Sequence, residues 1–544
     1  MRTCWPLFRI ALRGCPVILV ALARVSRLDA QSAAQWRYSA AAEISSFAVT
    51  SLGNVVVGTG GQLVGLDPTT GAASWTRDSL KGSEGHWWGL PLRDTPYGVL
   101  DLGDRLEVID LQTGVKRWDT TTLPIGNPKG YLAAPERGLL LVYGMIQDSG
   151  ALAAVDLASG ELRWRHANPF RDPPKRGREL TSGQSEKGSS LAEEPPVLWV
   201  TDSTFLLYVS EDGPVLVDAR TGAFLWRADH LKGKGPPALR NLYPPSVIAE
   251  SVVYVPTERE LYAIRLRDGT AFWSAPVGLP SRVLQLDLTP QGLLVRGVRR
   301  EKDAIRDGSF VDVLDPGTGA SRWPKQFKKG WSVLHASDAP AVISPFVWRG
   351  DRVYCVTDEK LYALSLSDGS RAELGKVKFK GDEDPAVLEN RADGVLLLSP
   401  QNMLLADTTG AVRYQTYYPA PPMGLLGQIG TALLQVAFNV ASYSLAQSTA
   451  NRTGVPQTYR QFDNPFLRVR YAAAESAREY VYILTSDKDS TGETRSSVVK
   501  VSKDRNRVEG RVWLSDKHPA FTVDPIASVV YVKTGDQELA AFKF

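Results

Sequence analysis

Short apolar runs recur along the chain, each followed within a few residues by a phrase built from Asp, Gly and Trp. Val55 to Val57, Leu139 to Val142, Val252 to Val255 and Val395 to Leu398 are such runs, and their length and composition predict buried strands. The phrase reads Asp67, Gly71, Trp75 in its first copy and Asp110, Gly114, Trp118 in its second. It returns as Asp156, Gly160, Trp164, as Asp218, Gly222, Trp226 and as Asp315, Gly319, Trp323, while Gly269 with Trp273 keeps its second half. Weaker copies end at Gly369 with Leu374, Gly410 with Tyr414 and Gly510 with Trp513. Each copy predicts a strand, a tight turn and a second strand. The Asp carboxylate accepts from amides inside the turn, Gly supplies positive φ, and Trp returns a large ring to the interior.

Together with the preceding apolar run this makes three strands per unit, with room for a fourth. From Gly71 to Gly410, successive turn glycines lie 41 to 62 residues apart, the blade period of a β-propeller. A terminal unit, Val529 to Val532 and Glu538 to Phe542, stops before any Trp. Its missing outer strand is expected from Gln35 to Tyr38, which would close the ring by joining the two ends. The predicted fold is therefore all-β, a single β-propeller of four-stranded antiparallel blades over residues 31–544. Ten units are counted directly, with eight as the alternative. The 47 Gly, 35 Pro and 14 Trp fit turn-rich β structure and let one repetitive domain occupy 544 residues.

The phrase resembles the repeat of the pyrroloquinoline-quinone-type propellers, seen in quinoprotein dehydrogenases and in the propeller lipoprotein of the outer-membrane β-barrel assembly machine. The resemblance runs over nearly the whole chain after its first thirty residues. It implies a propeller whose family more usually has eight blades, and either a scaffold in outer-membrane protein assembly or a quinone- and calcium-dependent dehydrogenase.

Residues 1–30 read as a secretory signal peptide: Arg2, Arg9 and Arg13 precede the apolar run Pro16 to Ala23, and cleavage is expected after Ala23 or Ala30. Five of the 63 basic and one of the 59 acidic residues lie there, leaving 58 of each in the body. The formal charge of +4 thus belongs to the leader, and nothing in the body argues for nucleic acid. Cys4 and Cys15 leave with it, so the mature chain keeps Cys355 alone, which excludes internal disulfides and Cys clusters for zinc or iron–sulfur. Arg352 to Val356 alternates as a strand does, which makes Cys355 a core thiol.

Two segments break the repeat. Residues 168–200 lack apolar periodicity and read as a surface loop. Residues 417–478 contain surplus chain and predict a helical insertion. Within it Met423 to Ala446 carries no charge, and Leu426, Ile429, Leu433, Val436 and Val440 fall at helical spacing. Their apolar side either packs on the propeller or docks to an envelope protein or, peripherally, to a membrane surface.

Candidate chemistry is sparse. His86, His166, His230, His335 and His518 show no paired metal spacing. His86, Trp87 and Trp88 would make either an aromatic ligand rim or packing between blades. One mature Cys rules out the adjacent Cys pair of alcohol-oxidising quinoproteins, and no Cys-x-x-Cys-His haem attachment is present. The turn aspartates recur once per unit, as structural residues do and catalytic ones do not. The sequence reads as an exported, periplasmic or outer-membrane-associated scaffold with no catalytic residue and no cofactor; the alternative is a quinoprotein dehydrogenase using pyrroloquinoline quinone and Ca²⁺.

Overall fold

The computed structural model describes residues 33–544 except 79, 81–90, 93, 147–148, 168–197, 210–212, 232–245, 258–259, 298–307, 330–342, 382, 422–463 and 515–519. The leader expected at residues 1–30 lies outside the described residues. Among the described residues the chain forms 38 strands, β1 to β38, in ten antiparallel sheets arranged as a ten-bladed propeller. Eight of these sheets have four strands and two have three among the described residues.

The sheet containing both chain ends is blade 1, with order β1-β38-β37-β36. Strand β1 (Trp36–Ser39) pairs with β38 (Glu538–Lys543), Trp36 opposite Ala541 and Ser39 opposite Glu538. The expected closure is thus the observed one. Blade 2 is β2 to β5 (Ile44–Arg77), blade 3 is β6 to β8 (Tyr97–Asp119) and blade 4 is β9 to β12 (Gly126–Ala167). Blades 5 to 9 follow in register with the repeat, ending with β29 to β32 (Val387–Tyr417), and blade 10 is β33 to β35 (Tyr480–Trp513). The loop expected over 168–200 gives way to strand at its far end, because Leu198–Trp199 opens blade 5 as β13.

Within a blade the Asp–Gly turn joins the third strand to the outermost one. Asp67 Oδ1 accepts from the Thr69 and Thr70 amides at 2.9 and 2.8 Å, and Asp218 Oδ1 accepts from Arg220 and Thr221 at 3.0 and 2.7 Å. Asp110, Asp156 and Asp315 make the same pair of bonds. The turn closes when the Gly amide donates to the Asp carbonyl, as Gly114 does to Asp110 at 2.8 Å.

The Trp of each phrase does not fold back on its own turn. It crosses to the next blade, where its Nε1 donates to the carbonyl of the residue after the turn's first position. Trp75 reaches Leu111 at 3.1 Å, Trp118 reaches Leu157 at 3.0 Å and Trp226 reaches Leu266 at 2.7 Å. The same link runs from Trp36 to Pro68, Trp164 to Ala219, Trp273 to Pro316 and Trp323 to Leu366. The ring then lies on the next turn's Gly. At Gly114 (φ 71°) a Cβ would stand 2.5 Å from the Trp75 ring, so glycine is required there both for its backbone angle and for the absence of a side chain. The buried core is correspondingly divided into clusters that mostly fill one seam each, such as Tyr143, Trp164, Phe205 and Val217 between blades 4 and 5.

The last copy needs correction. Gly510 lies inside β35, opposite Lys500, and the turn of blade 10 runs from Ser502 to Asn506. Asn506 (φ 47°) takes the place of Gly, which Asn tolerates better than most residues, and Ser502 Oγ accepts from the Arg505 amide as the Asp would. The count of ten units stands.

Three outcomes test this account. Trp118→Ala and Trp226→Ala should each cost about 3–5 kcal/mol in chemical denaturation, since each empties a seam. Deleting residues 35–38 should lower the melting temperature and promote aggregation by exposing the β38 edge, read by calorimetry and light scattering. The turn carboxylates also set an acid limit. Asp218 is held below the usual carboxylate range first by the Thr221 amide, and Asp315 first by the Arg322 guanidinium, both against burial. Depressed carboxylates stabilise the fold above their unfolded value near 4, and the contribution is lost as pH falls through the lower folded value. Melting temperature should therefore drop below pH about 4, and less steeply in Asp218→Asn with Asp315→Asn, which keep an acceptor in each turn.

Candidate functional site

The residues singled out in the sequence fall into two groups. Asp67, Asp110, Asp156, Asp218 and Asp315, with their Gly and Trp partners, form the turns and seams and so belong to the scaffold. His86, Trp87, Trp88 and Leu426, Ile429, Leu433, Val436 and Val440 lie outside the described residues. So does Met423 to Ala446 as a whole. Cys355 is fully buried on β26 (Arg352–Thr357), and burial pushes its thiol up to about 12, which makes it a poor nucleophile.

The expected insertion over 417–478 resolves into two described pieces. Residue 417 still belongs to β32 (Val412–Tyr417), and α1 (Pro465–Ala477) precedes blade 10. Asn464 starts this helix: its Oδ1 accepts from the Phe466 amide at 2.9 Å, and Pro465 follows at the first helical position. The Asn464-Pro465 pair is the sequence signal of this helix start.

Helix α1 lies on the inner turns of blades 1 and 2, on the propeller face that also carries the Asp–Gly turns. Arg470 donates to both oxygens of Asp524 at 2.8 and 3.1 Å and to the Ser51 carbonyl at 3.1 Å. Asp524 is completely buried and also accepts from the Ile526 and Ala527 amides, so its charge is fully matched. Leu467 enters the cluster that holds Leu52, Leu92 and Leu111. The adjoining flank of the helix leaves Phe466 at 51% and Val469 at 70% exposed, one turn apart.

Among the described residues no three His, Cys, Asp or Glu side chains converge as metal ligands. Also among the described residues, no helix is long and apolar enough to cross a membrane.

Comparison with solved structures finds several propellers at low identity. BamB from Moraxella catarrhalis is 14% identical, with 72% of this chain and 100% of that one covered and a TM-score of 0.32. A quinohemoprotein alcohol dehydrogenase from Comamonas testosteroni is 13% identical, covering 74% and 80% of the two chains at a TM-score of 0.30. Another, from Pseudomonas putida HK5, is 12% identical over 76% and 81% at 0.31. At these TM-scores the likenesses carry no argument about this chain. No curated protein matches it. The family model described as outer membrane protein assembly factor BamB matches residues 21–204 and 211–384, more than half of the chain, and includes the Asp–Gly–Trp phrases of blades 2 to 7. The chain belongs to the family of the outer membrane protein assembly factor BamB.

Proposed function

We propose that the protein is an exported, non-enzymatic propeller that binds a protein partner at the periplasmic side of the cell envelope. The observation that carries this reading is membership of a family described as an outer membrane protein assembly factor. Two features support it. The repeated polar groups are engaged in turns and seams, and the exposed Phe466 and Val469 on α1 offer apolar side chains to a partner.

The opposing reading is a quinone-dependent dehydrogenase. Purified protein mixed with pyrroloquinoline quinone and Ca²⁺ is expected to show no stoichiometric binding by calorimetry and no dye-linked oxidation of alcohols or sugars. Saturable one-to-one binding together with turnover would overturn the scaffold reading.

The uncharged stretch Met423 to Ala446 is assigned to attachment on the same reading. Replacing Leu433 and Val436 with Ser should leave the melting temperature nearly unchanged and shift the protein from sedimenting envelope fractions into the soluble periplasmic fraction. A wild type that is already soluble, or a double variant that loses stability without changing fraction, would remove that assignment.

A further inference from the structure

We infer that the seam between blades 9 and 10 is salt-labile and that blade 10 loosens there. Seven consecutive seams, from blade 1 to blade 8, carry the Trp-to-carbonyl link. The next three do not. Between blades 8 and 9, Leu374 stands on Gly410, an apolar substitute. Between blades 10 and 1, Gly510 occupies the outer strand, and Phe544 and Tyr482 fill the space, with Tyr482 donating to the Pro525 carbonyl at 3.2 Å.

Between blades 9 and 10 the rim is ionic. Tyr414 Oη takes the role of Trp Nε1 and donates to the Lys503 carbonyl, the counterpart of Leu111 in blade 3. Around it Arg391 bonds Glu479 and Asp504, while Lys503 Nζ bonds both oxygens of Glu389 at 2.8 and 3.0 Å. Arg391 is 15% exposed, but its partners Glu479 and Asp504 are 46% and 60% exposed, so salt reaches these pairs as it does not reach an indole on a glycine. Blade 10 is also the less supported side. Among the described residues it has three strands, and α1 rather than an inner strand immediately precedes β33. Behind this rim the seam is apolar, with Leu396, Leu405, Val481 and Val499 buried in one cluster, so the part that salt reaches is the outer Arg391 network.

The test is native-state hydrogen exchange on the full chain, read by mass spectrometry, at low salt and in about 1 M NaCl. Amides of β33 to β35 are expected to exchange about fivefold faster in high salt, while those of Thr204–Val209 and Gly213–Asp218 in blade 5, latched by Trp on both sides, stay unchanged. Arg391→Gln should reproduce the acceleration at low salt. Arg413→Gln, which removes an exposed pair with Asp393 on the same blade, should not. Salt-independent exchange in β33 to β35 would overturn the inference, as would acceleration spread evenly around the ring or beginning at the β1 and β38 closure. If Arg391→Gln fails to fold, the wild-type salt series alone decides.

Discussion

Blades 1 to 7 of this propeller each hold the next by setting an indole on a glycine and giving its N–H to a carbonyl of the same turn. That contact links local and global structure, because the turn must be formed before the seat exists, and the seat is useless without the neighbouring blade. The turn needs an Asp-type acceptor to hold two amides and a residue at positive φ to reverse the chain. The seam needs the same residue to carry no side chain. Glycine meets both demands at Gly71, Gly114, Gly160 and Gly222, and this double constraint keeps the phrase recognisable around most of the ring.

Where only one demand survives, the residues diverge. Asn506 meets the dihedral demand alone, and the partner facing its turn is a tyrosine rather than an indole. At Gly410 the turn is one residue shorter, Gly410 donating to Asp407, and a leucine covers it. The three divergent seams are consecutive, and α1 lies beside them, tying the inner turns of blades 1 and 2 through Arg470 and the buried Asp524. The regular arc supplies most of the packing, whereas the irregular arc carries the helix, the ionic rim and the exposed Phe466 and Val469.

The three divergent seams interrupt the repeat. The interruption also brings charged pairs into a seam, where they contribute less than packed apolar groups but respond to the surroundings.

The sequence by itself determined the blade, its turn and the number of blades, because a turn that needs positive φ and an internal acceptor leaves a residue signature within a span of nine positions. It also determined the closure, since a terminal unit without its outer strand and an unpaired strand at the other end have one economical pairing. Only the tertiary structure decided where each Trp goes. The ring of Trp75 is 36 residues from the carbonyl it meets, and no local pattern records that distance. The same reason hid the turn at Ser502 to Asn506, which Gly510 and Trp513 mimicked in sequence. It also hid the placement of α1, whose Arg470 finds its oxygen partners at Ser51 and Asp524 only when the ring is complete. Local dihedral demands write themselves into residue types, while contacts between blades accept indole, phenol, leucine or a salt bridge, so long as the seam is filled.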